Sequence, residues 1–199
     1  ELGPAADIVS KQLGVWGETG VSAAQVADQL AQAANASTVD VAELAMGLSN
    51  VAGTAKTAGV DFGDLTQTMA LIAPGFSSAA DAGTSLKTMI AGLQPATGPA
   101  AAMFEKLGLM SFNTQKAMDA LRAEGIEPMG TDFQTLAHQL AQLGESMGMS
   151  GKKQLEFIDS FRTSVFYDQA GAFVGMEQAA TLLQGAVGDL SEADKVMAL

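Results

Sequence analysis

Cysteine is absent from this 199-residue chain, and histidine, tryptophan and tyrosine each occur once. Without cysteine there is no disulfide framework, no thiolate zinc site and no cysteine nucleophile. Basic residues are also scarce: ten Lys and Arg stand against 22 Asp and Glu, a formal net charge of −12. Affinity for phosphate backbones comes mainly from Lys and Arg displacing counterions. The basic residues are spread from Lys11 to Lys195, with only Lys152 and Lys153 adjacent. Charge therefore excludes a duplex-binding surface. Long apolar runs are missing as well. A membrane-crossing helix needs about 20 mostly apolar residues, and Met69–Ala73 and Pro99–Phe104 are far shorter. The opening residues, Glu1-Leu2-Gly3-Pro4, lack the basic and apolar regions of a signal peptide.

β-branched and aromatic residues never alternate over a strand's length, whereas Ala, Leu, Gln and Met, all helix formers, are abundant. The punctuation consists of helix caps. The expected fold is all-α, a compact array of about nine to ten short helices. A first helix runs from about Pro4 to Leu13, before Gly14. Ser22 caps a second, to about Ala34. Ser37 and Asp40 form an S-x-x-D box opening a third, whose Val41, Leu44, Ala45, Leu48, Val51, Ala52 and Ala55 make one stripe ending at Gly59. Asp61 caps Phe62–Ile72, and Ser78 caps a helix through Leu86, Ile90 and Leu93. After the loop Gln94–Pro99, helices end near Leu107-Gly108, Gly125 (opened by Asn113) and Gly144 (opened by Thr131). A loose stretch, Gly144–Gly151, precedes a helix from Lys152 through Phe166. Shorter pieces follow at Gln178–Gln184 and from a Ser191/Asp194 box onward. Such short helices depend on tertiary packing, and their many Ala contacts bury little area at about 25 cal/mol per Å². Modest stability is expected.

Chemistry-bearing patterns are few. His138 lies between Leu136 and Leu140 with no carboxylate at i±3 or i±4 to orient it, so no triad is assembled around it. Gly144–Lys153 has the Gly-Lys end of a phosphate loop, but Ser146 stands where glycine is required and Lys153 where a hydroxyl is. Asp61-Phe62-Gly63 matches a kinase tripeptide by letters only and reads as a helix cap. The acids Glu124 and Glu127, and Asp189, Glu192 and Asp194, suit helix ends. Gly171-x-x-x-Gly175 has small-residue spacing and reads as close helix packing. Ala27–Gln32 echoes Ala137–Gln142, which composition accounts for. No catalytic, cofactor-binding or metal-binding residue is assigned, and no enzyme is expected.

The segment Ala27-Asp28-Gln29-Leu30-Ala31-Gln32-Ala33-Ala34-Asn35-Ala36-Ser37, then Val41-Ala42-Glu43-Leu44, resembles the start of the core region of phage tail tape measure proteins of the TP901 type. Ala82-Gly83-Thr84-Ser85-Leu86 and Phe104-Glu105-Lys106-Leu107-Gly108-Leu109 follow in matching order. The likeness fades beyond about residue 110, where Phe161-Arg162 replaces a usual Phe-Gly pair. It divides the chain into a tape-measure-like helical core, 1–110, and a second helical part, 111–199, packed on the first or on partner chains.

The resemblance implies a structural virion protein that sets tail length, occupies the tail tube or tip and leaves at DNA ejection. Implied partners are tail tube, distal tail or hub proteins, tail assembly chaperones and further copies around the tail axis, with no specific nucleic acid. Implied locations are the virion tail and, during assembly, the host cytoplasm. Disturbance of a host membrane after ejection would fall to apolar helices such as Phe157–Phe173. The alternative reading is a non-enzymatic α-helical adaptor or scaffold unrelated to phage.

Overall fold

Small polar residues in extended backbone open most of the helices, each accepting from N–H groups that a first turn leaves free. The computed structural model describes residues 2–94 and 98–188, and places ten α-helices and one two-stranded sheet among them. The architecture is all-α apart from that ribbon. Two compact units are present: 1–93 with 175–180, and 94–174 with 181–199. The division at residue 110 followed the reach of the resemblance, whereas the chain's own packing divides it after Leu93.

The first unit contains α1 (Leu2–Trp16), α2 (Ala23–Asn35), α3 (Val41–Ala58), α4 (Phe62–Ile72) and α5 (Ala79–Gly92). Ser22 and Gln25 form a reciprocal capping box on α2, the Ser22 N–H donating to Gln25 Oε1 at 2.9 Å. Asp61 Oδ1 accepts from Gly63 N at 2.7 Å, and Ser78 Oγ from Asp81 N at 3.1 Å, as expected of both caps. Two expectations fail. The cap of α3 is Asp40, which accepts from Glu43 N at 2.9 Å, while Ser37 only steadies the preceding turn through Val39 N. Helix α1 passes Gly14 and ends at Trp16, because Trp16 is buried against Phe62, ring centroids 5.8 Å apart. Packing there outweighs one glycine's helix penalty of about 1 kcal/mol.

The most extensively packed pair is α3 with α5. A Cβ on Gly83 would overlap the Gly47 carbonyl, and one on Gly47 would overlap the Ala79 carbonyl. The two backbones therefore touch, and the seam exists because these positions carry no side chain. Asn50 Nδ2 donates to Ala80 O at 3.0 Å along the same seam.

The second unit contains α6 (Gly98–Lys106), β1 (Met110–Phe112), α7 (Thr114–Ala123), α8 (Phe133–Ser146), α9 (Lys152–Asp159) and β2 (Arg162–Ser164). The strands pair antiparallel with Met110 opposite Ser164 and Phe112 opposite Arg162. This ribbon corrects the expected helix over 152–166. Helix α9 stops at Asp159 so that Phe161 can enter the core of Ala117, Leu121, Leu136, Leu140 and Leu143. Asn113 caps α7 by accepting from Lys116 N at 2.8 Å. Helix α8 is capped by Asp132, not Thr131, and runs beyond Gly144, where an added Cβ would just touch Gln154 and Phe157 of α9. Gly171 and Gly175 lie outside any helix with φ of +83° and +95°, Gly175 immediately before α10, so the expected helical glycine pair does not form. Asp168 Oδ1 shapes the turn at Gly171, accepting from Ala170 N and Ala172 N at 2.9 and 2.8 Å. Helix α10 (Met176–Gly188) is longer than the expected Gln178–Gln184, and its residues up to Ala180 belong to the first unit. The Ser191/Asp194 box and residues 95–97 of the Gln94–Pro99 loop lie outside the described residues.

Candidate functional site

The residues with catalytic potential do not converge. His138 is exposed on α8, its Nε2 3.2 Å from Gln142 Nε2. Asp61 spends its carboxylate on the α4 cap, and Phe62 is buried beside Trp16. Gly151 opens α9 without a side-chain cap, and Lys152 turns back to Glu156 at 3.4 Å, an exposed pair of little energetic weight. Glu124 ends α7, and Glu127 enters the structure through its carbonyl. Asp189, Glu192 and Asp194 lie outside the described residues. Among the described residues no group of three or more His, Asp or Glu is placed to hold a metal. No described helix is long and apolar enough to cross a membrane.

What the first unit offers instead is a groove of about 310 Å³ between α2 and α4. Gln29, Gln32, Ala33 and Ala36 form one wall, and Gly63, Thr66, Gln67, Ala70 and Leu71 the other. The spacing explains the concavity. Ala33 on α2 and Ala36 just past its end stand three apart, Gly63 and Ala70 seven apart on α4, so small residues face each other across the helix pair. Gln29 occupies space that a Cβ on Gly63 would enter, its Nε2 3.0 Å from that position. Gln29 Oε1 is buried without a hydrogen-bond donor. At the end of the groove Leu71 is 80% exposed.

The second unit has its own presented surface. Gln139 on α8 is buried, donates from Nε2 to Glu127 O at 3.0 Å and accepts from Met129 N at 2.9 Å. One side chain thus holds both directions of the loop before α8 and presents Met129, 83% exposed, with Phe133 half-exposed beyond it. Sequence reasoning overlooked both glutamines. The signal that could have found them is a glutamine on an apolar helix stripe, Gln29 between Val26 and Ala33 and Gln139 between Leu136 and Leu143 at i−3 and i+4.

Electrostatic perturbations are small and local. Lys56 Nζ, 2.9 Å from Glu18 Oε2, holds the Glu18 carboxyl below its ordinary range. Hydrogen bonds from Thr135 do the same for Asp132 at the α8 cap. Burial pushes the Tyr167 hydroxyl up.

Neither a curated protein nor a solved structure matches the chain. A family model described as phage-related minor tail protein does, over residues 1–139. The matched segment takes in α1–α5 and continues through α6, β1 and α7 into α8, past the point where the tape-measure likeness fades. Family membership favours a tail component over the unrelated adaptor. The chain belongs to the family of phage-related minor tail proteins, and is a structural component of a phage tail.

Proposed function

We propose that this tail component is the folded, helical part of a tape measure protein, which sets tail length as tube rings polymerise and leaves when DNA is ejected. The observation that carries the proposal is the minor-tail match over 1–139. The ordered elements Asp28–Ser37 and Ala82–Leu86 resemble the TP901-type core and lie inside that match. Geometry then separates the parts of the task. As one continuous helix 199 residues would reach about 300 Å, whereas the longest described helix, α3, spans about 27 Å. The two compact units accordingly act as docking bodies, not as one continuous helix. Their partners are tube, distal tail or hub proteins and the assembly chaperones that hold the chain before the tube closes around it.

The proposed role is structural, without bond-making: Asp61 and Asp132 are engaged in helix caps, and the exposed His138 has Gln142 beside its ring. Peptidoglycan zymography with the purified chain should give no clearing. Host-membrane disturbance by a Phe157–Phe173 helix loses its basis, since that segment is divided between α9, β2 and the Asp168 turn. The decisive experiment is deletion of the gene in the phage that carries it, with tails measured by electron microscopy. Absent tails, or tails of irregular or shortened length, are expected. Tails of unchanged length would overturn the tape-measure reading.

A further inference from the structure

We infer that Met129 anchors a docking surface of the second unit and seats in an apolar socket, rimmed by lysine and arginine, on another protein of the tail. The inference deepens the tail reading and rests on it for the setting; the surface and its chemistry follow from the loop before α8.

An exposed methionine alone is ordinary, since much of any protein surface is apolar. Met129 differs in how firmly its backbone is held. Within residues 125–131, Ile126 packs against the core of the second unit, and its N–H donates to Leu121 O at 2.9 Å. The buried Gln139 binds the Glu127 carbonyl and the Met129 N–H, at 3.0 and 2.9 Å. Pro128, between those two residues, has its φ set by its own ring. Gly130 lies so close to α8 that an added Cβ would stand 3.1 Å from Asp132 Oδ2 and 3.3 Å from Thr135 Cγ2. The loop is thus fastened on both sides of Met129 while the side chain stands in solvent. A partner that covers it does not have to order the loop first, and such ordering is one of the main costs of association. Phe133, four residues on and also exposed, offers a second apolar contact, its ring edge-on to Phe112 with centroids 4.9 Å apart. Met and Phe are both enriched where proteins meet.

Charge selects the partner. Between Arg122 and Lys152 the chain has no Lys or Arg, while Glu124, Glu127 and Asp132 flank the methionine and Glu145 follows. Arg122 itself is engaged with Asp119, 3.2 Å away. The surface that fits this rim is cationic around an apolar hollow. Nucleic acid and the anionic face of a membrane are both repelled. A second copy, at a net −12, sets acid against acid. What remains is a different protein with a basic-rimmed socket. Charge then steers the encounter and fixes the register, and burial of the methionine supplies affinity.

Photocross-linking in assembled tails tests this, with benzoylphenylalanine at position 129 in one phage and at position 46 in another. Met46 is also exposed, but lies on α3 of the first unit. Light should join position 129 to one other tail protein, at an apolar residue flanked by Lys or Arg, and position 46 should not give that product. With the joined protein purified, calorimetry should show Met129→Gln raising Kd about ten-fold or more. Added salt should weaken binding of the parent, because it screens an attraction, and Glu127→Lys should cost most at low salt. Met46→Gln should leave Kd unchanged. All three positions are exposed, so circular dichroism and thermal midpoints should match the parent and exclude misfolding. The inference is overturned by tails that contain the chain yet give no product at position 129, or by a product with a second copy, lipid or nucleic acid. A Kd indifferent to Met129→Gln, or binding strengthened by salt, overturns it equally. All of these leave the tail reading standing, whereas tails that lack the chain would overturn both.

Discussion

Gln29 and Gln139 hold matching places in two similar segments, Ala27–Gln32 of α2 and Ala137–Gln142 of α8, yet they do different things. In both, the following leucine is buried, Leu30 in one and Leu140 in the other. Gln139 has both polar atoms engaged with the backbone of the preceding loop. Gln29 has a buried acceptor with nothing donating to it, beside an open groove. Like local sequence gives like helix and like apolar face; the use of the polar side chain is settled by what is packed over it.

The difference extends to the units around them. Only Phe62 and Phe76 of the nine phenylalanines fall in the first unit, which packs on Ala and Gly, with backbone against backbone at Gly47 and Gly83. The second unit packs aromatic edges on faces: Phe104 with Phe166, Phe112 with Phe133, Phe157 with Phe161 and Tyr167 with Phe173. It also ties side chains to distant backbone. Gln154 Nε2 donates to Ala141 O at 2.6 Å, Lys116 Nζ to Ser160 O at 2.9 Å, and Gln169 Oε1 accepts from Thr114 N at 2.7 Å. One region is held by what its residues lack, the other by what they carry.

Opposite substitutions should therefore damage the two regions. The largest effect is expected from Phe166→Ala in the second unit. Phe166 is fully buried, and removing its ring forfeits the burial and opens a cavity, at a cost of about 4 kcal/mol. Gly83→Ala, which only adds a methyl, should cost about 3 kcal/mol in the first unit, because the overlap is with the Gly47 backbone and not with a flexible side chain. The single Trp16 and single Tyr167 lie in different units, so urea transitions followed by indole fluorescence and by tyrosine absorbance read the two separately. Gly83→Ala should move the Trp16 transition more, and Phe166→Ala the Tyr167 transition more. Equal shifts of both signals in both variants would erase the contrast and show one cooperative unit.

A smaller loss, about 2 kcal/mol, is expected from Gln139→Ala, which strands the Met129 N–H and the Glu127 carbonyl together. Hydrogen exchange at the Met129 amide should accelerate far more than at Leu140. Gln29→Ala, removing an acceptor that already lacks a donor, should cost clearly less. If the two alanine variants lose the same stability, the difference between these glutamines is only geometric.

Most helix starts were legible because a cap is a local device: Ser22, Asp61, Ser78 and Asn113 each meet N–H groups two or three residues on. The misread elements depend on distant residues. Trp16 carries α1 past Gly14 by packing on Phe62. Arg162–Ser164 leaves the expected helix because its strand partner, Met110–Phe112, lies about 50 residues away, and no three-residue strand shows a period in sequence. Gly171 and Gly175 are spaced like a helix contact, but both have positive φ: the Asp168 carboxylate holds Gly171 in a turn, and Gly175 stands just before α10. The groove was invisible for the same reason: Ala33, Gly63 and Ala70 are ordinary helix residues until two helices are laid side by side.

The subtlest probe of the contrast is Tyr167, the one tyrosine, buried with its ring 5.7 Å from that of Phe173. Burial disfavours the phenolate, so its pKa in the folded chain lies above the ordinary 10.0. For an acid whose folded pKa is raised, the stability contribution is complete below the unfolded value and declines as pH climbs through the folded one. Stability of the second unit should thus hold to about pH 10 and fall above it, as the unfolded chain ionises first. Phenolate absorbance of the native protein should show a midpoint above that of the urea-unfolded chain, and Tyr167→Phe should abolish the alkaline slope. The first unit has no tyrosine to ionise, so Trp16 fluorescence should report little change over the same range. A native midpoint equal to the unfolded one would mean that water reaches the hydroxyl, and that the aromatic packing of the second unit is looser than its ring geometry implies.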